Sequence, residues 1–591
     1  MKRIYILSIF SALLVLSGCS SGWLDEDPKT DMTADKLYKT EAGFESGLNG
    51  LYSLVRGERE GYGYTDSFGA TGLRALMYIG GTDNYNCGAG ASGEFSAIYK
   101  NWATANVATD KSLKNVFSWL YNIVLTANTI IERAENPEVE WNGGKERIVA
   151  EARLMRAWAY RHLTYMWGDV PLVTREVTGD TFRTDYERED VATVRAQIIG
   201  DLKYAVKYVP WLPSEAGRAS KGVALTWLSE MYLAEAGTGE EGLDAEKLEL
   251  ARHYADTCIV NGPYSLVRDR LGSGEGCAFM DMFQPEYTNI EAGNTEALWV
   301  MQWDRASVGG GNNLMRFSLR PKFDNSGKVA TGVSISYMDE SRGGRGYSRA
   351  ALTKWALELY DKSSDYAAGV VDDRGSEYAI AKYYVIGEYD EVADDAINAK
   401  TGVRYAVGDT VFIGCSKIAE AGLRASGCMT GFSGLKSTTS NDNWPYTLKY
   451  SYCDPGYPKN NESHNDQVFM RLAETYLLRA EALYKLGRLD EAAADINELR
   501  NRAHALTVTP QEMSLDLILE ERSRELLGEE QRRYTLKRTL NARDFVEWIT
   551  VRNGKDAGMT ERDYLFPIPQ DVIDANVSLP MEQNPGFEKS A

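Results

Sequence analysis

Aromatic side chains in polar, glycine-rich segments are the residues of this sequence whose chemistry best suits ligand binding. The chain contains 35 Tyr and 13 Trp residues, enough to place several outside a hydrophobic core. An aromatic ring covers the apolar C–H face of a pyranose, while nearby Asn, Asp, Arg or Tyr groups hold the hydroxyls. The candidate ligand-binding residues of this kind are Tyr62, Tyr64, Asp83, Asn84, Tyr85, Trp303, Asp304, Arg305 and Asn313. A carbohydrate is the ligand that their chemistry fits.

The sequence lacks the short motifs that carry hydrolysis, phosphate binding or metal binding. It contains no HExxH, no GxSxG, no P-loop and no EF-hand pattern. Acidic pairs such as 372–373 and 520–521 are expected by chance among 85 Asp and Glu residues. A glycosidase needs two carboxyls about 5–10 Å apart, whereas adjacent carboxylates diverge along a strand or helix. The sequence therefore predicts no catalytic residue, no metal ligand and no cofactor, with a glycoside hydrolase built on two central carboxylates as an alternative.

Net charge and cysteine spacing argue against two further classes of protein. The formal charge of −20 and the pI near 4.9 exclude a nucleic-acid partner, because phosphate contacts need a basic surface. The six cysteines after residue 19 show no CxxC pair and no metal-ligand spacing with the four histidines, so no redox site is expected. They are Cys87, Cys258, Cys277, Cys415, Cys428 and Cys453, and free thiols or a Cys415–Cys428 disulfide would both fit.

The N-terminus has the pattern of a bacterial lipoprotein signal. Lys2 and Arg3 precede an apolar stretch, 4–16, that is too short to span a bilayer as a mature helix. The sequence Leu-Ser-Gly-Cys at 16–19 then reads as a lipobox, in which Cys19 takes the lipid and residues 1–18 are removed. Several acyl chains on one residue anchor a protein stably. The polar, acidic residues 19–32 are predicted to form a tether, and an ordinary signal peptide is the alternative.

The stretch 466–502 predicts a pair of antiparallel helices. Leu472, Tyr476, Ala480 and Leu483 share one helical face, and a second apolar face follows within 489–499. Gly487 separates the two, since glycine accepts the left-handed conformation that often ends a helix. Small alanines where the backbones approach complete a tetratricopeptide-type unit.

Similar periodicity elsewhere predicts a mostly α fold, with tetratricopeptide-like helix pairs forming a right-handed solenoid frame. Helices are expected at 33–56, 112–134, 145–167, 191–209, 222–236, 245–260, 349–359 and 514–527, and strands at 297–303 and 405–413. Aromatic residues at helical spacing, and Trp299 in the first strand, are expected to be buried; the helical ones include Trp158, Tyr160, Tyr165, Trp227 and Tyr232. The predicted regions are an N-terminal helical region at 33–262, a large irregular, loop-rich ligand-binding region with a few short strands at 263–465, and a closing helical region at 466–591.

Six short pieces of the chain, in order, resemble the SusD/RagB family of surface lipoproteins from Bacteroidetes. They are the lipobox with Trp23-Leu24-Asp25-x-x-Pro28, the aromatic helix at 151–173 ending in Gly-Asp-Val-Pro-Leu, Arg471-Leu472-Ala473-Glu474, the acidic stretch 520–526, 565–569, and Gln583-Asn584-Pro585-Gly586. Residues 263–465 do not align with the family pattern, so the resemblance indicates the class of protein better than its ligand.

The resemblance implies a non-catalytic, lipid-anchored protein on the outer face of the outer membrane. Such proteins capture oligosaccharides and act as a lid over a SusC-type TonB-dependent transporter, which then takes up the ligand. It also places part of the ligand surface in the loop that contains Tyr85. Because some relatives handle peptides, a peptide-capturing lipoprotein of the same architecture is an alternative, and a tetratricopeptide scaffold is a further one.

Overall fold

The computed structural model describes most of the chain from Thr33 onward. The described residues are 33–65, 71–87, 95–321, 327–330, 333–335, 340–388, 390–398, 401–412, 444–554 and 557–587. The predicted signal peptide, Cys19 and the tether precede Thr33, so these predictions lie outside the described residues. Within the described ranges, no helix is both long and apolar enough to cross a bilayer.

Nineteen α-helices occupy the described residues, so the predicted mostly helical class is confirmed. Their bounds are α1 Ala34–Leu37, α2 Glu41–Arg56, α3 Leu76–Ile79, α4 Ser96–Lys100, α5 Trp102–Ala105, α6 Lys111–Arg133, α7 Lys145–Trp167, α8 Val191–Tyr208, α9 Lys221–Ala236, α10 Ala245–Asn261, α11 Ala278–Asp281, α12 Met315–Leu319, α13 Lys354–Lys362, α14 Leu472–Lys485, α15 Leu489–Arg502, α16 Leu515–Glu525, α17 Arg532–Thr539, α18 Ala542–Asn553 and α19 Gln570–Ala575.

The strands of the described residues are short, with two to five residues each. They are β1 Gly61–Thr65, β2 Thr71–Leu73, β3 Tyr85–Cys87, β4 Ala297–Met301, β5 Gly327–Ala330, β6 Val333–Ile335, β7 Ala350–Leu352, β8 Ile380–Ala381, β9 Tyr383–Val385, β10 Glu391–Val392, β11 Thr410–Phe412, β12 Tyr446–Thr447 and β13 Gln467–Arg471. They pair antiparallel as β1–β2, β3–β7, β4–β13, β8–β12, β9–β11 and β5–β6–β10.

A continuous stack of helices forms the frame of the molecule. Each of α6, α7, α8, α9 and α10 packs on the next, and α14 then packs on α10 and α15 on α14. The helix pair α14–α15 turns at Gly487, whose φ of +74° is the left-handed conformation expected there. The residues between α10 and α14 therefore leave the stack and return to it, and they carry most of the short strands.

The aromatic residues that the sequence analysis assigned to the core are buried, as predicted. Trp158 and Tyr160 are fully buried on α7, and the other predicted core aromatics are at most 5% exposed: Tyr165, Trp227, Tyr232 and Trp299. Asp110 caps the N-terminus of α6, and its side chain accepts hydrogen bonds from the backbone N–H groups of Ser112 (2.8 Å) and Leu113 (3.1 Å). This cap satisfies two of the amides that a helix N-terminus leaves unpaired.

Some predicted elements differ in extent or type from the structure. The helix predicted at 349–359 is wrong over its first residues, because 350–352 form β7 and α13 starts only at Lys354. The strand predicted at 405–413 is limited to 410–412 in the described residues, and the helix predicted at 33–56 is divided into α1 and α2. Of the cysteines, Cys87, Cys258, Cys277 and Cys453 form no disulfide, and the open question of a Cys415–Cys428 bond falls outside the described residues.

Buried ion pairs, which we call the charge network, join the C-terminal helices to the rest of the chain. Arg471 contacts Glu296, Glu525 and Glu529, and Arg374 contacts Asp372, Glu521 and Glu525. Further buried pairs are Arg500–Glu521, Arg502–Glu296, Arg502–Glu525, Arg522–Glu530, Arg524–Glu521, Arg532–Asp83, Arg532–Glu530, Arg538–Glu481 and Lys449–Glu529. Since a buried charge loses its hydration, each is stable only because it has one or more partners of opposite sign.

Glu530 of the charge network should make the stability of the protein depend on acid pH. Burial raises the pKa of this carboxyl, but the charges of Arg522 and Arg532 outweigh burial and hold it at about 2, below the usual 4.5. A depressed carboxyl pKa contributes stability that is present above pH 4.5 and is lost as the pH falls toward 2. A difference of this size corresponds to about 3 kcal/mol.

We expect Glu530→Gln to lower the free energy of unfolding by about 3 kcal/mol at pH 7. The deficit relative to the wild type should shrink as the pH falls from 4.5 to 2, because the wild-type carboxyl then becomes neutral as well. Urea denaturation at a series of pH values measures both effects. A deficit that is the same at pH 2 and pH 7 would contradict the assigned role of the Glu530 charge.

Candidate ligand-binding site

A cleft of 640 Å³ opens among the strands that leave the helical frame. We call it the tyrosine cleft, because its lining includes Tyr378, Tyr383, Tyr384, Tyr446 and Tyr452. Its volume lies within the range of about 300–1,000 Å³ that is typical of small-ligand sites. Its lining lies between residues 275 and 452.

Short strand pairs position the tyrosines of the cleft. Strand β8 pairs with β12, which aligns Ala381 with Tyr446, and β9 pairs with β11. Because successive side chains of a strand point to opposite faces, Tyr383 and Tyr384 differ in environment. Tyr384 and Tyr446 are buried, whereas Tyr383 is half-buried. The strands therefore place two rings in the wall and keep a third accessible.

Three tyrosine rings of the cleft reach solvent. Tyr378 is 37% exposed, and Tyr383 and Tyr452 are half-buried. Burial raises the pKa of the Tyr384 hydroxyl well above 10, so this group of the wall is a neutral phenol at physiological pH. The cleft thus combines buried, neutral rings behind with accessible aromatic faces in front, an arrangement that can cover the apolar face of a sugar ring.

Charged and polar groups lie among these rings. Arg342 makes a bidentate ion pair with Asp390, at 2.8 and 2.7 Å, and donates a third bond to the carbonyl of Val385 at 2.8 Å. Lys382 is 5% exposed, and burial lowers the pKa of its amine to about 8 while Glu377 acts in the opposite direction. Fixed donors beside aromatic faces provide what a hydroxyl-rich ligand needs.

Tyr62 and Tyr64, two of the predicted ligand-binding residues, lie on β1. This strand forms a hairpin with β2, in which Tyr62 aligns with Gly72. The structure describes their backbone and not their side chains. The contact predicted for these two rings stays a prediction.

The predicted residues Asp83, Asn84 and Tyr85 are buried, with exposures of 0%, 2% and 2%. Asp83 accepts hydrogen bonds from the guanidinium of Arg532 at 2.9 and 2.6 Å and from the indole N–H of Trp548 at 2.6 Å. Tyr85 is part of β3, which pairs with β7. In this conformation none of the three offers a face to a ligand, so the geometry favours a structural role in place of the predicted sugar contact.

The other four predicted residues, Trp303, Asp304, Arg305 and Asn313, come together at a second place, which we call the 303–313 surface. Trp303 and Asn313 are buried, with exposures of 5% and 0%. The backbone N–H of Trp303 donates to Asp466 at 3.1 Å, and the side-chain amide of Asn313 donates to the carbonyl of Asn465 at 3.1 Å. Both residues therefore fasten the loop to the segment that precedes β13.

Of the four predicted residues at the 303–313 surface, the two charged ones, Asp304 and Arg305, face solvent. Asp304 is exposed and accepts a hydrogen bond from the backbone N–H of Ala306 at 2.9 Å. Arg305 pairs with Asp454 at 2.7 Å, and its guanidinium lies 3.9 Å from the ring centre of Tyr457. Tyr457 is 46% exposed and was not predicted. With Asp304 and Arg305, Tyr457 forms a small aromatic and charged patch. None of the nine predicted ligand-binding residues is among the described residues that line the tyrosine cleft.

The sequence did not single out the tyrosines of the cleft, which lie within the region 263–465 that it predicts to bind a ligand. The doublet Tyr383-Tyr384 and the tyrosines at 446 and 452 were visible as a local enrichment. Strands of two or three residues show no periodicity, so the sequence could not indicate which rings would face a common cleft.

In this fold, a stack of helix pairs carries an irregular region whose short strands line an aromatic cleft. Comparison with known proteins identifies the family of the chain. Residues 295–587 match the model of the SusD family, and residues 22–233 match a second model described as starch-binding and associating with the outer membrane. The chain belongs to the SusD/RagB family, as the sequence motifs indicated. Proteins of this family bind ligands and are not enzymes, and neither is this chain.

Individual relatives cover most of the chain at low identity. The SusD-like protein P25 of Formosa agariphila is 27% identical over 563 residues, which are 93% of this chain and 91% of that protein. The starch-binding protein SusD of Bacteroides thetaiotaomicron is 34% identical over 148 residues, 23% of this chain and 25% of that protein. The solved structure of a laminarin-binding SusD-like protein has a TM-score of 0.62 at 20% identity and covers 93% of this chain and 100% of its own. At this low identity, the similarity to the solved structure shows that the two proteins share a fold.

Proposed function

We propose that the chain captures an oligosaccharide in the tyrosine cleft. The observation that carries this proposal is the set of three accessible tyrosine rings around one cleft of 640 Å³. The family-model description names starch, and the names of two relatives give starch and laminarin as their ligands. All of these are glucose polymers, whose pyranose rings present the apolar C–H faces that a phenol ring covers.

The lining assigns a role to each kind of group in such a complex. Tyr378, Tyr383 and Tyr452 supply the ring faces, and the amine of Lys382 and the guanidinium of Arg342 supply hydrogen-bond donors to hydroxyls. The bidentate ion pair with Asp390 fixes the Arg342 side chain before a ligand arrives. A preformed donor lowers the entropy lost on binding.

We further propose that the protein is anchored through a lipidated Cys19 on the outer face of the outer membrane. There it would deliver its ligand to a SusC-type TonB-dependent transporter and close over it. The lipobox at 16–19 and the acidic tether support the anchor, and the description of the second family model supports association with the outer membrane. Copurification of the barrel protein with the full-length chain from outer membranes tests the partnership.

Substitution of the accessible tyrosines tests the site. We expect Tyr378→Ala and Tyr383→Ala each to weaken glycan binding by about tenfold, the equivalent of 1.4 kcal/mol, because each removes one stacking face. Calorimetry or affinity electrophoresis of the form that lacks residues 1–20, against plant, host and fungal polysaccharides, provides the measurement. Hydrolysis of any bound glycan should not occur.

Tyr457→Ala is the matched control, because Tyr457 is an equally accessible tyrosine on the 303–313 surface. It should bind as the wild type does. If Tyr457→Ala loses affinity and the cleft variants keep it, the 303–313 surface is the site and the sequence-based choice of Arg305 was the better one. Absence of binding to every polysaccharide tested would reject the glycan proposal and favour the peptide alternative.

A further inference from the structure

Arg320 is a buried guanidinium that has no hydrogen bond or ion pair among the described residues, and it lies beside the wall of the tyrosine cleft. It is 1% exposed, and none of its three guanidinium nitrogens has a hydrogen-bond partner in the structure. The large buried arginines of the charge network, by contrast, bond to carboxylates. A buried charge without a counterion is strongly unfavourable, so its persistence calls for an explanation.

The position of this guanidinium relates it to the cleft. Its central carbon lies 5.3 Å from the ring centre of Tyr446, a residue of the cleft lining. Its charge also acts on the buried hydroxyl of Tyr384, a second lining residue. Arg320 therefore stands behind the two tyrosines that form the inner wall.

Gly343 allows the guanidinium of Arg320 to approach the cleft lining closely. This glycine lines the cleft, and a Cβ placed on it would lie 2.5 Å from Nη1 of Arg320. Any side chain at 343 would therefore displace the guanidinium. The guanidinium therefore lies close to the cleft lining at Gly343, and in a poorly hydrated wall an electrostatic field acts over this distance with little screening.

Two further cations strengthen the positive potential of the inner wall. Arg316 is 1% exposed and is held by carbonyl groups, including Asn460 at 2.7 Å, without an ion pair among the described residues. Burial and the charge of Arg320 lower the pKa of Arg316 to about 10, so it stays protonated. Lys382 lines the cleft itself and is 5% exposed.

Carboxylates lie at the outer part of the cleft. Glu275, Glu340 and Glu377 line it and are exposed to solvent, where water and salt screen their charges. The Asp390 carboxylate neutralises Arg342 within their ion pair. Buried cations inside and solvated carboxylates outside give an inner wall with positive potential.

We propose that the tyrosine cleft selects acidic glycans, with the carboxylate or sulfate of the ligand against the inner wall in front of Arg320 and Lys382. The inference rests on the proposed glycan function and names the chemical class of its ligand. An anion in this position supplies the counterion that Arg320 lacks. Uronates and sulfate esters share the required chemistry, and the experiment separates them.

Binding measurements on acidic and neutral glycans test the selection. The acidic probes are polygalacturonate, alginate and chondroitin sulfate, and the neutral ones are starch, laminarin and fully methyl-esterified polygalacturonan. We expect at least tenfold tighter binding to an acidic probe than to the neutral ones, with affinity that falls as the salt concentration rises. Binding to polygalacturonate or alginate indicates a carboxylate ligand, and binding to chondroitin sulfate that is lost after chemical desulfation indicates a sulfate.

The variant Arg320→Met tests whether the charge of Arg320 contributes to ligand binding or has a purely structural role. We expect the unliganded variant to unfold at the same temperature as the wild type or higher, because an unpaired buried charge has been removed. Its affinity for the acidic glycan should fall at least tenfold. Arg183→Met, which changes an exposed arginine of the helical region, is the matched control and should leave affinity unchanged. If Arg320→Met does not fold, the affinity of Lys382→Gln for the acidic glycan tests the same positive potential through a second residue.

The outcomes distinguish this inference from the function on which it rests. Binding of neutral glycans alone, lost in Tyr378→Ala, would overturn the selection of acidic ligands and leave glycan capture intact. Binding of an acidic glycan that Arg320→Met and Lys382→Gln both leave unchanged would also overturn it. Absence of binding to every glycan would overturn both proposals.

Discussion

Arg471→Met is expected to lower the free energy of unfolding by about 3–5 kcal/mol, the cost of leaving buried charges uncompensated. Arg471 lies on β13 and is 1% exposed. Its guanidinium donates to Glu296 at 2.6 Å, to Glu529 at 2.7 and 3.0 Å, and to the backbone carbonyl of Glu525 at 2.7 Å. Methionine fills a similar volume without a charge, so three carboxylates would lose a shared cation. Urea denaturation at pH 7 measures the loss.

Arg488→Met is the control for Arg471→Met, because it removes an arginine whose pair with Glu491, at 2.6 Å, is solvent-accessible. We expect it to cost less than about 1 kcal/mol. The double variant Arg471→Met/Glu529→Gln should be more stable than the sum of its single changes predicts, since the second change removes a buried carboxylate that the first one leaves with Lys449 as its remaining cation in the charge network. Additive losses would show that the two groups do not act as a pair.

Asp83→Asn is expected to lower the free energy of unfolding by about 3 kcal/mol while leaving the glycan affinity of the folded protein unchanged. The charge of Asp83 holds Arg532 of α17 and the indole of Trp548 of α18, so its loss uncouples the N-terminal loop from two C-terminal helices. Thermal denaturation and calorimetry on the same sample give the two quantities.

The result for Asp83→Asn separates the two interpretations of this residue. A ligand-binding Asp83 predicts the opposite pattern, with weakened binding and unchanged stability. Asp304→Asn is the matched control, because it changes an equally acidic, sequence-predicted site residue that lies on the surface. It should leave the denaturation midpoint unchanged.

Elements whose signals are local could be predicted from the sequence. The helix pair at 472–502 was identified from apolar spacing and from Gly487, and the helices of the frame followed from the same periodicity. Strand β4 could be predicted from its run of apolar residues. In each case the residues that form the element also carry its pattern.

Elements stabilised by distant partners could not be predicted in the same way. Ala350–Leu352 continued the apolar spacing of a helix, but β3 pairs with it from 265 residues away and makes it a strand. The pair 520–521 was expected to be either a solvated surface or an ion pair with Arg522 or Arg524. Glu521 does pair with Arg524 and is fully buried, because Arg374 and Arg500 meet it there.

The same limitation applies to the candidate site. Asp83 and Asp304 have similar polar neighbours in the sequence, yet one is buried and the other exposed, because an arginine 449 residues away lies against the first. Composition can identify groups that are able to bind a sugar. Composition cannot show which of these groups are already buried and bonded to other parts of the chain.

The long-range pairing of this chain has a kinetic consequence. Strands β3 and β4 meet partners from much later segments, and Asp83 meets Arg532 across 449 residues. Closing such large loops precedes the contacts that stabilise them, so the folding barrier is high and the reaction slow. Unfolding separates buried ion pairs before water can solvate the charges, and this raises the barrier to unfolding as well. We therefore expect slow unfolding, so that the unfolding rate sets the lifetime of the native state.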